Sequence, residues 1–344
     1  MKNLLKAISL MLITALALVF TACGGDDKSS YIYQDEGLQA GDISFYNADG
    51  AGFMMSYVPG KTFKTGTDDS GTATVSKAFW IGETEVTYEL WYTVRQWAIS
   101  RVTNAYTFAN TGIEGNDGAG GAASPLTMEP VTMINWRDAI IWCNAATEWY
   151  NEKNSTSYTC AYYSDSAYTI PIRISTNTAS VDTTNGSEDK PYIKAATNGN
   201  VDMENYAATG FRMLTALEWE LAARYIDDAN NDGDISDMGE YYPGNYASGA
   251  MADYTNTGAN QAVAWYSSSS THAVKGLLPN ALGLYDISGN VWEWCYGNSG
   301  ASRAIRGGAW LFSGSTLQIG YSGGQDSPYN EYNTLGFRLA RSAD

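Results

Sequence analysis

The chain has 344 residues and carries 37 acidic against 20 basic side chains, a formal net charge of −17. Such a surface repels nucleic acid and anionic lipid head groups, so no nucleic-acid partner is expected. Eleven tryptophans and 13% aromatic residues indicate a well-packed body, while 35 glycines and few long periodic segments indicate a loop-rich one.

Residues 1–22 have a basic start (Lys2, Lys6), an apolar run from Ala7 to Phe20 and then Thr21-Ala22 before Cys23, the pattern of a secretory signal with a small-residue processing site. The cysteine in that place resembles a bacterial lipobox, with Phe20 where leucine is usual. The expectation is cleavage before Cys23 and acylation of its sulfur. Residues 23–40 would then be a polar tether, and the chain would be lipid-anchored at the bacterial outer membrane or cell surface. The alternative is a plain cleaved signal with an incidental cysteine. Loss of Lys2 and Lys6 leaves 18 basic and 37 acidic residues, or −19.

Residues 41–344 show no internal repeat and no shift of composition, so one domain is expected. Three helices have start signals. Thr87 precedes YELWYTVRQWA, whose Trp91, Val94 and Ala98 share a face. Asn135 precedes WRDAIIWCNAATEWY, with Ala139, Cys143, Ala146 and Tyr150 along one stripe. Thr215 and Glu218 form a capping box before EWELAARY. Short strands and turns fill the rest, and two polar stretches, 103–124 and about 163–206, read as insertions.

The segments IGETEVTYELWYTV, EPVTMINWRDAIIWCN, GFRMLTALEWELAAR, NALGLYDISGNVWEW, RGGAW and LGFRL stand in the order found in the formylglycine-generating-enzyme (sulfatase-modifying-factor) family. The resemblance covers about 41–341. It implies an α+β, C-type-lectin-like fold with few helices and short antiparallel strands. One departure is Leu214, where the family usually has proline; only the helix entry should change.

Catalytic members of that family hold copper with a cysteine pair shortly after the RGGSW signature, because soft thiolates select Cu(I). Here Phe312 and Leu317 stand about where the sulfurs belong, so copper-dependent oxidation is not expected and no cofactor is required for catalysis. The single histidine, His272, cannot assemble a multi-histidine iron or zinc site. Cys143, Cys160 and Cys295 are buried thiols, or Cys143 and Cys160 are bridged, with one left over.

Structural calcium is considered at two loops. DDANNDGDISDMGE places Asp228, Asn230, Asp232 and the backbone of Asp234 at positions one, three, five and seven of an EF-hand-like loop, with Gly233 at the turn. Position twelve is Gly239, and Glu240 comes one place late; an acidic solvated loop is the other reading. The second loop, SGNVWEW, supports calcium in similar proteins. Asn290 and Glu293 would be its ligands, or else hydrogen-bonding fasteners of the loop.

The run 306–341 starts with RGGAW, ends on LGFRLAR, and between them has neither a two-residue nor a 3.6-residue period. In one branch with this fold, the variable lipoproteins of diversity-generating retroelements, this segment is the recognition surface. A reverse transcriptase rewrites it at adenines, mostly in AAC or AAT codons. Such codons cannot become Trp, Met, Gln, Glu or Lys. Between residues 311 and 334 only Gln318, Gln325 and Glu331 belong to that excluded set. Trp310, Leu317, Ile319, Pro328, Leu335 and Phe337 are expected as anchors. Leu311, Phe312, Ser313, Tyr321, Asp326, Ser327, Tyr329, Asn330, Tyr332, Asn333 and Thr334 are expected to point outward and meet a protein or other surface ligand. A family enzyme with altered metal chemistry and an invariant carbohydrate-binding adhesin are the competing functions.

Overall fold

The computed structural model describes residues 37–124, 128–194, 207–299 and 301–343. The expected leader, Cys23 and the tether up to residue 36 lie outside the described residues. The first elements are an antiparallel hairpin, β1 (Ile43–Ala48) and β2 (Ala51–Val58). Its turn is Asp49-Gly50, with φ of 51° and 83°. Two left-handed central residues make the turn whose twist matches that of the strands, and Asp-Gly tolerates both. A second hairpin, β3 (Lys61–Thr65) with β4 (Gly71–Val75), precedes β5 (Phe79–Gly82), which is buried along its whole length.

Helix α1 (Tyr88–Ser100) starts where Thr87 accepts a hydrogen bond from the Leu90 amide, and it buries Trp91, Val94 and Ala98 as the spacing predicts. The short strands β6 (Ile113–Glu114) and β7 (Val131–Thr132) pair beside it. Helix α2 (Trp136–Asn154) opens with a capping box of Asn135 and Asp138. Every residue from Trp136 to Thr147 is buried, so the expected one-sided stripe is a correction: α2 is a central helix, apolar and polar all round. Two of its buried polar side chains show how they are satisfied, while the Trp149 indole nitrogen is left without a partner. Arg137 pairs with Asp189 at 2.7 Å, and the Asn144 amide donates to the carbonyls of Tyr162 and Ile172.

Strands β8 (Tyr162–Tyr163) and β9 (Tyr192–Ile193) pair with each other, and β10 (Phe211–Met213) leads into α3 (Ala216–Arg224). Both bonds of the predicted Thr215–Glu218 box are present, at 3.1 and 2.9 Å, and Arg212 holds the same carboxylate. Leu214 is buried, a core residue where the family has proline. Thr215→Ala is expected to cost about 1 kcal/mol in urea unfolding; an unchanged midpoint would mean that Arg212 alone orders Glu218. A short α4 (Thr257–Gln261), capped by Asn256, carries no periodicity that sequence could show.

The remaining strands are β11 (Trp292–Ser299), β12 (Ser302–Arg306), β13 (Gln325–Asp326), β14 (Leu335–Phe337) and β15 (Leu339–Ser342). The larger sheet runs β1-β2-β5-β15-β10, all antiparallel. The second runs β13-β12-β11-β14, with β14 parallel to β11. Only Arg338 separates β14 from β15, so the end of the chain joins the two sheets. At this junction Phe337 sits edge-on to Trp91 and Trp142, which stack on each other with centroids 5.7 Å apart. That contact is why LGFRL has to regain a regular pattern.

The first expected insertion is clamped to this core. The Trp91 indole donates to the Thr111 carbonyl at 2.9 Å. A Cβ on Gly112, whose φ is 71°, would come within 2.8 Å of the same indole nitrogen. The second insertion is described only to residue 194.

Candidate ligand-binding surface

The run begins on a fixed backbone. Gly307 and Gly308 have φ of 97° and 79°, and a Cβ on either would meet a carbonyl oxygen, of Ile287 at 2.8 Å or Thr316 at 2.9 Å. Only glycine fits there. Arg306 donates to the Tyr321 carbonyl at 2.9 Å and to Glu220 at 3.1 Å, tying the start of the run to its middle. Trp310 is buried and bridges further: its amide donates to the Asn290 carbonyl and its indole to the Asn333 carbonyl.

All six expected anchors, Trp310, Leu317, Ile319, Pro328, Leu335 and Phe337, are buried. Between them Leu311, Phe312 and Tyr332 are 56%, 39% and 44% exposed, and Ser313 is exposed as well. Tyr321, Asp326, Ser327, Tyr329, Asn330 and Asn333 are half-buried. Thr334 is a correction: it is buried, and its carbonyl accepts the Trp292 amide at 2.8 Å, because the chain is already entering β14.

Trp292 is the pedestal of the surface. Phe312 meets it edge-on at 5.8 Å and Tyr321 leans on it at 6.2 Å. Asp326 fastens its own turn by accepting from the Ser327 amide and the Asn330 side chain, both at 2.7 Å. Tyr329 lies 5.8 Å from the Arg137 guanidinium.

Beside Tyr332 opens a cleft of about 510 Å³. Its walls are residues 331–333 of the run, Met133, and residues 110–113 with Asn116 from the first insertion. Asn333 reaches across to the Asn116 carbonyl at 3.4 Å. Burial and the neighbouring charge of Asp138 raise the Glu331 carboxyl above its ordinary range. Sequence reading missed the insertion side of this cleft; the only signal was polar, aperiodic composition.

The sulfatase-modifying factor enzyme 1-like domain matches residues 47–343. This chain belongs to that family. It is 26% identical over 300 residues to "Chaperone protein LppX" of Paenibacillus barcinonensis, across 78% of this chain and 83% of that protein. It is 30% identical to a formylglycine-generating enzyme of Streptomyces coelicolor, across 46% of this chain and 55% of the enzyme. Among solved structures it resembles Treponema denticola variable protein 1, with 26% identity, a TM-score of 0.54, and 88% and 99% of the two chains covered. It also resembles CarF, with 25% identity, a TM-score of 0.57, and 84% and 98% covered. The fold is therefore the α+β, C-type-lectin-like one of the formylglycine-generating-enzyme type.

Of the two residues expected about where copper-binding cysteines would stand, Leu317 is fully buried in apolar surroundings and Phe312 rests on Trp292. Cys143, Cys160 and Cys295 are buried free thiols, and burial raises all three above the ordinary thiol range. His272 stacks on Trp265 with centroids 3.7 Å apart.

Of the two roles considered at SGNVWEW, the side chains are placed for fastening the loop. Glu293 spends one oxygen on Arg338 and the other on Trp219, at 2.7 and 2.9 Å. Asn290 accepts from the His272 amide and donates to Glu85, at 3.0 and 2.9 Å. The two side chains belong to a buried fastening network, Glu85, Asn290, Glu293 and Arg338, directly behind Trp310. In the 228–240 loop, Asp228 is buried against Lys61, while Asn230 and Asp232 are exposed and bonded to each other. Among the described residues no helix is long and apolar enough to cross a membrane.

Proposed function

We propose that the chain is a non-catalytic, surface-displayed ligand-binding lipoprotein whose C-terminal run is a recognition surface diversified by a retroelement reverse transcriptase. The observation that carries this reading is the alternation of buried anchors with exposed Leu311, Phe312 and Tyr332 on a backbone pinned at both ends. A rigid platform lowers the ordering cost of binding, and aromatic side chains give broad contact for few torsions. Relatives named as a variable protein and a chaperone support it. So do the apolar residues at the copper positions.

Three measurements test it. In a displayed library randomised at the ten outward positions other than Thr334, most members are expected to melt within a few degrees of the parent, and binders to unrelated proteins should be recoverable. Widespread unfolding would refute the platform. In any selected binder, Tyr332→Ala or Phe312→Ala should weaken binding by roughly 2 kcal/mol, about thirtyfold in Kd, at unchanged stability. Deep sequencing of the gene should find substitutions at adenines of the outward codons, with Gln318, Gln325 and Glu331 constant; a uniform sequence beside no template copy removes the retroelement.

A further inference from the structure

We propose that loop 228–240 is a calcium site in which Glu240, one place beyond the usual closing position, supplies the last carboxylate. Asp228 and Glu240 are 7% and 6% exposed. Each uses one oxygen to hold the loop: Asp228 Oδ2 accepts the Gly233 amide at 3.3 Å, and Glu240 Oε1 accepts the Ala229 amide at 2.9 Å. Each is left with a buried oxygen, Asp228 Oδ1 and Glu240 Oε2, that has no hydrogen-bond partner. A pair of unsatisfied buried carboxylate oxygens calls for a cation.

The surroundings say which kind. The further groups that the loop offers at the spacing of a hard-cation site are oxygens: the Asn230 and Asp232 side chains and the Asp234 carbonyl. The bond from Gly233 to Asp228 leaves Oδ1 of the first ligand for the ion. Left-handed Asn231 and Gly233, at φ 57° and 85°, turn the chain, and Ile235 anchors it by donating to the Thr62 carbonyl at 2.9 Å. Among the described residues no three acidic side chains already converge. In the proposed site calcium would draw the exposed Asn230 and Asp232 onto the buried Asp228 and Glu240. Lys61, on the other oxygen of Asp228, is the competing charge.

Calcium chloride titrated into chelator-treated, dialysed protein should give one site with Kd of roughly 10⁻⁴ to 10⁻³ M, the range of extracellular modules. The melting temperature should rise with calcium. Asp232→Asn alters an exposed residue, so it should leave melting in chelator unchanged while weakening calcium by about tenfold or more. Lys61→Met should tighten it. No binding by either the parent or Lys61→Met overturns the proposal. Calcium binding undiminished in Asp232→Asn places the ion elsewhere and overturns it equally.

Discussion

Replacing Arg338 by methionine is expected to destabilise the protein by roughly 3–5 kcal/mol, the scale of a buried ion pair that loses one partner. Arg338 is fully buried. It donates twice to Glu293, at 2.9 and 2.7 Å, and to the carbonyls of Gly82 and Tyr285, at 3.0 and 2.8 Å. Its charge also acts on Glu85 and Asp286, which are buried nearby. Methionine matches the apolar length but leaves three carboxylates without a cation and two carbonyls without a donor. Urea unfolding should show the loss, and adding Glu293→Gln should restore part of it, since the double variant removes the stranded charge. A single-variant loss below about 1 kcal/mol would mean water or protonation already relieves the cluster. The consequence reaches the proposed recognition surface: Glu85 accepts from Asn290, and the Asn290 carbonyl accepts from Trp310.

The parts of this protein legible in its sequence are those set by short-range chemistry. Thr87, Asn135 and Thr215 announce helix starts because one side-chain oxygen meets an amide three residues on. Leu317, Ile319 and Phe337 read as anchors because large apolar groups in a polar run have few other places to go. What stayed hidden depends on distant residues. The all-round burial of α2 follows from the sheets and α1 closing around it, and half of the cleft comes from residues 110–116, about 220 positions before Tyr332. LGFRLAR marks the start of β14 at Leu335, but Thr334 was misjudged because its burial comes from the Trp292 amide pairing one residue earlier, a contact no local pattern shows. Behind Trp310, Asn290 and Glu293 stayed open between calcium ligands and loop fasteners because a carboxylate that binds a metal and one that binds an arginine look alike in sequence.

That cluster yields the second large effect. Asp286→Asn is expected to stabilise the protein at alkaline pH. Burial pushes the Asp286 carboxyl up from 3.8 to about 6, with the Glu293 charge adding to it and the Lys275 amide and Arg338 working against it. A carboxyl raised on folding contributes its stability below its unfolded value, and that contribution is lost as pH rises through the folded one. Asp286 is therefore harmless near pH 4 and costs about 3 kcal/mol once the pH is well above 6, from the gap between 3.8 and about 6 at about 1.4 kcal/mol per pH unit. Asparagine keeps an acceptor for the Lys275 amide and removes the buried charge. It also suits the left-handed backbone at φ 54°. The difference in unfolding free energy between variant and parent should be small at pH 4 and grow between pH 4 and 7. Parallel profiles would mean that the proton resides on Glu85, whose carboxyl burial and the Asp286 charge raise still more strongly. Glu85→Gln should then carry the pH dependence instead.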